Sequence, residues 1–143
     1  LGAFIAIISI SNKINSDQID DFSGVGKRSP WMALALTLCM VSLIGMPPAA
    51  GFMAKFYIFG AAVQQGLLWL VIIAVLNSVI SAYYYLRVVK VMWFGEPASS
   101  EKVPATGALK TALAISCLGV LVFGLAPGLA IGLAEAAGRM LGL

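Results

Sequence analysis

Long apolar stretches, separated by short polar segments, make up most of the chain. No charged residue occurs within residues 29–54, 56–86 or 111–134. Each stretch exceeds the roughly 20 apolar residues that a helix needs to cross about 30 Å of hydrocarbon. The stretches are continuously apolar and rich in Leu, Ala and Ile, without the polar/apolar alternation of a strand in a membrane barrel. The pattern predicts an all-α fold, a polytopic bundle of transmembrane helices.

Helix breakers and polar clusters divide the chain into segments. The apolar run at 1–10 is too short to span and lacks the basic leader and cleavage site of a signal peptide, so we interpret it as the end of a truncated helix. Ser29 and Pro30 are typical of a helix start. The predicted segments are the end of a transmembrane helix (1–10), a cytoplasmic loop (11–29), an apolar stretch broken near 45–50 (30–64), a transmembrane helix (67–94), a cytoplasmic linker (95–106), another transmembrane helix (107–127) and a C-terminal tail (128–143).

The stretch at 30–64 is either a hairpin of two short spans or one crossing with a break in its middle. Its centre reads GMPPAAG, and proline ends or kinks a helix. Lys and Arg in short loops usually face the cytoplasm. A hairpin would place the basic residues of 11–28 and 87–110 on opposite sides, which removes this bias. One crossing places them all on one side and leaves only Arg139 on the other. We therefore predict one discontinuous helix, with the C-terminus outside.

Lys55 lies about two turns beyond Pro48 in this stretch. Backbone groups freed by a break must be buried in protein or line a wet cavity, because lipid offers them no partners. Such breaks commonly mark ion or substrate sites. Burial disfavours the charged form of lysine, so a lysine near a break can give up and regain a proton. Lys55 is therefore predicted to carry protons. The alternative is a lysine that reaches the membrane surface from a short helix, with an ordinary turn before it.

Composition agrees with a membrane protein and excludes several kinds of site. The chain is 61% hydrophobic and 10% charged, with a mean hydropathy of +0.99. It has no histidine and two isolated cysteines, Cys39 and Cys117, which we predict as small core residues. We therefore expect no haem, iron–sulfur, zinc or other metal site. The net charge of +3 reflects membrane topology rather than affinity for nucleic acid.

Other polar residues in the apolar stretches are weaker candidates. Ser42 lies one turn before the break and can cap backbone groups that the prolines release. Asn77 and Ser81 share one helical face, with Ser78 and Tyr85 on a neighbouring face, and these side chains can hydrogen-bond water near Lys55. Such residues more often join helices.

The segment SLIGMPPAAGFMAKFYIF, residues 42–59, resembles the signature of the antiporter-like membrane subunits of respiratory complex I and of multi-subunit cation/proton antiporters. The resemblance continues through NSVISAYYYLRVV at 77–89, and it is greatest to N-type members because Phe-Tyr follows the lysine. The residues that match the helix break of the family are Gly45, Pro47, Pro48 and Gly51.

The resemblance implies a fold of fourteen transmembrane helices, of which this chain would supply the C-terminal part. It implies that Lys55 is the last lysine of a proton path toward the external face, in a complex that couples quinone reduction to proton pumping in a bacterial plasma membrane or an equivalent one. NADH, FMN, iron–sulfur clusters and quinone would be bound by the whole complex, and this segment alone would be inactive. The expected partners are other membrane subunits, lipid and protons. A cation/proton antiporter or a membrane-bound hydrogenase is the alternative assembly.

Overall fold

The computed structural model describes residues 1–97 and 106–140, and every regular element in these residues is helical. The predicted all-α fold is therefore confirmed for this part of the chain. A short 3-10 turn, Ile19–Phe22, lies between the first two helices. The helices are α1 (Gly2–Ile14), α2 (Val25–Arg28), α3 (Pro30–Ile44), α4 (Ala50–Gln64), α5 (Leu68–Phe94), α6 (Gly107–Leu125) and α7 (Pro127–Met140).

Two helix boundaries differ from the sequence prediction. α1 continues to Ile14, so the predicted loop start at residue 11 was too early. The reason is that polar residues do not by themselves break a helix, whereas Asn15 adopts the left-handed conformation (φ 57°) that ends one. At the other end, Pro127 begins α7 rather than ending α6, because proline fits the first turn of a helix. The predicted tail is thus helical as far as residue 140, while residues 98–105 of the predicted linker and residues 141–143 lie outside the described residues.

α3 is the central helix of the described part, since it contacts α1, α2, α4, α5 and α6. Its start is apolar on all sides, which suits a helix that is surrounded by others. α4 has no buried residue, and only Met92 of α5 is buried. The core therefore lies mainly between α1, the 15–29 connection and α3, with one residue each from α5 and α6. Its buried members are Ala3, Ala6, Ile10, Phe22, Val25, Met32, Ala33, Ala35, Leu36, Cys39, Met40, Met92 and Leu113.

The connection before α3 is attached to the C-terminal end of α5. The Ser23 hydroxyl donates to Glu96 O (2.7 Å), and the Gly24 N–H donates to Val91 O (3.3 Å). An ion pair between Arg87 and Asp20 (3.8 Å) is exposed at both ends and therefore contributes little to stability. The start of α3 consequently lies beside the end of α5.

The contacts of α5 run in reverse order along α3 and α4. Trp93 Nε1–H, at the end of α5, donates to Thr37 Oγ1 of α3 (2.8 Å). Ser78, four turns earlier in α5, contacts Lys55 of α4. Since α5 also starts just after α4 ends, α3 and α4 follow one another along α5 and run antiparallel to it.

Two of the described helices are long and apolar enough to cross a membrane by length and composition. They are α5, with a mean hydropathy of 1.7, and α6, with 2.0. α3 and α4 have 15 residues each and are about 22 Å long, which is shorter than the hydrocarbon core. Each half is therefore shorter than a usual membrane-spanning helix.

Candidate functional site

The site is the five-residue connection between α3 and α4, together with the side chains around it. α3 ends at Gly45, which adopts a left-handed conformation (φ 89°) that residues other than glycine rarely take. The Gly45 N–H donates to Val41 O (3.2 Å) and Ser42 O (3.1 Å), and the Met46 N–H donates to Val41 O (3.2 Å). This pattern is a Schellman-type helix end. It satisfies two of the last four carbonyl groups of α3, which have no partners within the helix.

Lys55 donates hydrogen bonds to the other two carbonyl groups. Its Nζ donates to Ile44 O (2.8 Å) and to Leu43 O (3.2 Å). A helical side chain leans toward the N-terminus of its own helix, so Lys55, near the start of α4, is directed back toward the end of α3. The C-terminal end of a helix carries a partial negative charge, which attracts the ammonium group. Lys55 thus joins the two short helices across their connection.

Ser78 of α5 completes the surroundings of the ammonium group. Its Oγ lies 3.1 Å from Lys55 Nζ. The same oxygen lies 2.9 Å from Ala74 O, one turn earlier in α5, to which the hydroxyl donates. Lys55 therefore has three oxygen partners from two different helices. Three partners match the three donors of a charged ammonium.

The start of α4 depends on Ser42 of α3. Ala49, at the N-cap position, has no side-chain acceptor, and Ser42 Oγ instead accepts from the Gly51 N–H (3.2 Å). Gly51 also packs directly on the α3 backbone, because a Cβ at that position would lie 1.8 Å from Ser42 O. No other residue type fits there without moving one of the two helices. In the connection itself, the peptide bond between Pro47 and Pro48 is cis.

α6 packs on the outside of the connection through Gly124. A Cβ at Gly124 would lie 1.9 Å from Pro48 O and 2.7 Å from the carbonyl carbon of Ala49. The sequence reasoning missed this residue. A glycine inside an apolar helix could have indicated this contact, because small residues let membrane helices approach closely.

Comparison with known proteins identifies the family. Residues 1–81 match the family described as NADH:quinone oxidoreductase/Mrp antiporter, TM, and this match covers more than half of the chain. The chain belongs to this family. It is therefore an integral membrane protein of an energy-transducing membrane. The signature at 42–59, with Lys55 and the helix break, lies within the matched residues, as the sequence resemblance predicted.

The relatives of the chain include subunits of two kinds of complex. NADH-quinone oxidoreductase subunit N of Dehalococcoides mccartyi is 49% identical over 99% of the chain. The F(420)H(2) dehydrogenase subunit N of Methanosarcina mazei is 44% identical over 88% of the chain. The chain spans 29% and 28% of the length of these two relatives. The predicted resemblance to N-type members is thus confirmed.

A solved structure shares the fold. A chain of respiratory complex I from Thermus thermophilus with bound aureothin matches 80% of this chain with a TM-score of 0.72 and 30% sequence identity. The matched part is 26% of that chain. The antiporter-like family fold is therefore supported by structure as well as by sequence.

The α5 residues named as polar support have other neighbours in the structure. The Ser81 hydroxyl donates to Asn77 O (2.8 Å) and accepts from Tyr84 OH (3.1 Å). The Tyr85 ring lies 4.5 Å from that of Tyr84, centroid to centroid, and Asn77 is exposed. Ser78, which was placed on the neighbouring face, is the α5 residue that contacts Lys55.

Helical spacing explains why Ser78 lies at the site. Ser78, Tyr85 and Met92 recur every seven residues and therefore share one face of α5. Met92 is fully buried and Tyr85 packs against the core, so this face of α5 is directed toward α3 and α4. The seven-residue spacing of these three residues is visible in the sequence. Only the burial of Met92 shows which face of α5 is directed toward the other helices.

Lys55 is held by neutral groups within this chain. Neither α3, α4, α5 nor α6 contains an aspartate or a glutamate. The cysteines of α3 and α6, Cys39 and Cys117, are free thiols. Within residues 1–97 and 106–140, no group of three or more metal-ligating side chains is close enough to hold a metal ion.

Proposed function

We propose that the full-length protein is a proton-translocating membrane subunit of an NADH:quinone oxidoreductase, and that Lys55 carries protons in it. The single observation behind this proposal is the position of Lys55 Nζ, 2.8 Å from Ile44 O at the end of a half-length helix. A lysine used only to reach the membrane surface would direct its ammonium toward water. This lysine directs it toward the break between two helices.

The surroundings of Lys55 support a relay of protons. Carbonyl and hydroxyl oxygens stabilise the ammonium by charge-assisted hydrogen bonds, but they are not a fixed counter-charge as a carboxylate would be. The charge of Lys55 then depends on ionisable groups that other parts of the complex bring near it. Those groups, a glutamate and lysines in the preceding helices, are implied by the family resemblance. The segment alone is therefore expected to be inactive.

The proposal includes one discontinuous crossing for α3 and α4 within a fourteen-helix fold. The reversed order of the α5 contacts, Thr37 with Trp93 and Lys55 with Ser78, supports this topology, as does the clustering of Lys and Arg outside the apolar stretches. The same topology places the 11–29 connection on the cytoplasmic side and the C-terminus on the external side. Lys55 would then pass its proton outward.

The proposed partners are the other membrane subunits, with the redox groups elsewhere in the complex. NADH, FMN, iron–sulfur clusters and quinone are assigned to the complex and not to this chain. The relatives include a subunit of an F(420)H(2) dehydrogenase, so the electron donor is set by subunits other than this one. The family description also includes Mrp antiporters, which makes cation/proton exchange the second candidate.

The test replaces Lys55 in the complete complex. Lys55→Met keeps an apolar stem of similar length and removes the titratable group, so we expect assembly to persist and proton pumping per assembled complex to fall about tenfold or more. Lys55→Arg keeps the charge but does not release its proton, so pumping should fall as well. Quinone reduction and proton uptake are measured together in membrane vesicles, with and without sodium.

Three results would contradict parts of this proposal. Full pumping in both variants would show that Lys55 carries no protons. Full activity in Lys55→Arg, with failed assembly in Lys55→Met, would identify Lys55 as a structural anchor. Sodium-dependent transport without quinone reduction would favour the antiporter function.

A further inference from the structure

The three hydrogen-bond partners of Lys55 differ in what they can do. Leu43 O and Ile44 O are carbonyl oxygens, which only accept hydrogen bonds. Ser78 Oγ belongs to a hydroxyl group, which can accept and can also donate. The site therefore consists of two fixed acceptors and one group whose role is reversible.

These three oxygens can satisfy the hydrogen-bonding groups of a lysine in both of its charge states. The ammonium form has three N–H donors, and all three oxygens accept from it. The neutral amine has two N–H donors and one lone pair. The two carbonyl groups then keep their hydrogen bonds, and the lone pair requires a donor. Ser78 is the one partner of the three that can become that donor.

The second contact of Ser78 shows where its hydroxyl proton lies when Lys55 is charged. With Nζ donating to Ser78 Oγ (3.1 Å), the hydroxyl hydrogen is directed to Ala74 O at 2.9 Å. When Lys55 becomes neutral, a rotation about the C–O bond of Ser78 redirects this hydrogen to Nζ. Ala74 O keeps the backbone hydrogen bond of its helix, so the rotation leaves no carbonyl without a partner.

We propose that Ser78 is a positioning residue for proton transfer, which holds neutral Lys55 in place by reversing their hydrogen bond. The inference rests on the proposed function of Lys55. Ser78 keeps its own proton throughout, and the proton released by Nζ passes to another acceptor. Lys55 consequently stays at the helix break in both charge states, and the side chain does not have to find its position again in each cycle.

The experiment compares Ser78→Thr with Ser78→Val in the complete complex. The two side chains have nearly the same shape, and threonine in a helix can still donate to the carbonyl group one turn earlier. We expect Ser78→Thr to pump nearly as well as the wild type and Ser78→Val to lose roughly fivefold per assembled complex, the effect of one hydrogen bond to the neutral amine. Thr111→Val in α6 is the matched control. It also removes a hydroxyl that donates one turn back, to Ala108 O, and it should pump normally.

The outcomes separate this inference from the proposed function when Lys55→Met is measured beside them. Loss in Lys55→Met with normal pumping in Ser78→Val would overturn the role of Ser78 and leave that of Lys55. Equal loss in Ser78→Thr and Ser78→Val would show that side-chain size and not the hydroxyl matters, which also overturns the inference. Normal pumping in Lys55→Met would overturn the proposed function and the inference with it.

Discussion

At the scale of single residues, the break is a site where every exposed carbonyl group at the end of α3 has a partner. Val41 and Ser42 are satisfied by the turn at Gly45, and Leu43 and Ile44 are satisfied by Lys55. An unpaired backbone group in a membrane costs several kcal/mol, so these partners would be needed if α3 ends inside the bilayer, as the proposed topology requires. The lysine therefore stabilises the break and is at the same time the candidate proton carrier.

Gly51→Ala tests the closest backbone contact at the break. The added methyl group would lie 1.8 Å from Ser42 O, so α3 and α4 must move apart. We expect a loss of about 2 kcal/mol or more in stability, like other overpacking changes, together with reduced pumping. Thermal inactivation of the detergent-solubilised complex measures the loss of stability.

Gly60→Ala is the control for this change, because Gly60 is in the same helix and has no atom within 4 Å of the added group. It should be neutral or stabilise α4 by about 0.5–1 kcal/mol, since alanine favours helix more than glycine does. Equal behaviour of the two variants would contradict the close contact between Gly51 and Ser42.

At the scale of helices, the connection is enclosed by four helices. α3 and α4 supply its two ends, α5 supplies Ser78, and α6 supplies the close contact of Gly124 with Pro48. The backbone of α6 lies directly against Pro48 and Ala49 at Gly124. We therefore expect the position of Lys55 to depend on α6, although α6 contributes no polar group to it.

Gly124→Ala should displace the connection away from α6. The added methyl group would lie 1.9 Å from Pro48 O, and we expect pumping per assembled complex to fall several-fold while α6 itself remains helical. Gly119→Ala, in the same helix, has open space around the added group and should leave pumping unchanged. Wild-type pumping in Gly124→Ala would show that α6 does not support the break.

At the scale of the whole chain, buried side chains are distributed unequally among the helices. α1 and α3 contribute most of the core, while α4, α5 and α6 present long apolar faces with exposed side chains such as Ile58, Val79 and Leu118. Apolar faces of this extent suit lipid or neighbouring membrane subunits rather than water. The polar residues of 15–29 and the end of α5 lie together at one end of the bundle.

Cysteine labelling tests the proposed topology of the whole chain. In a background with Cys39→Ala and Cys117→Ala, Asp17→Cys and Gln65→Cys should react with a membrane-impermeant maleimide from opposite sides of oriented vesicles. One discontinuous crossing separates the two positions in the proposal. Glu96→Cys should behave like Asp17→Cys, because Glu96 accepts a hydrogen bond from the same connection. Labelling of Gln65→Cys from the same side as Asp17→Cys would instead establish the hairpin.

Some features of this protein follow from the sequence alone. The apolar stretches indicate membrane helices because the cost of placing charge in hydrocarbon depends on composition, and the prolines and Gly45 locate the break because backbone chemistry is local. The sequence also singles out Lys55 as the candidate proton carrier, because it is the one charged residue between residues 29 and 86. The continuation of α1 to Ile14 was missed because polar residues are weak signals of a helix end.

The contacts of the site are decided only by the tertiary structure. Ser78 rather than Asn77 or Ser81 reaches Lys55 because the burial of Met92 sets the rotation of α5, and Gly124 reaches Pro48 because α6 packs beside α3 in one register. Both contacts join segments that are more than 20 residues apart in the chain. Rotation and register are properties of packed helices, and the pattern of a single helix does not contain them.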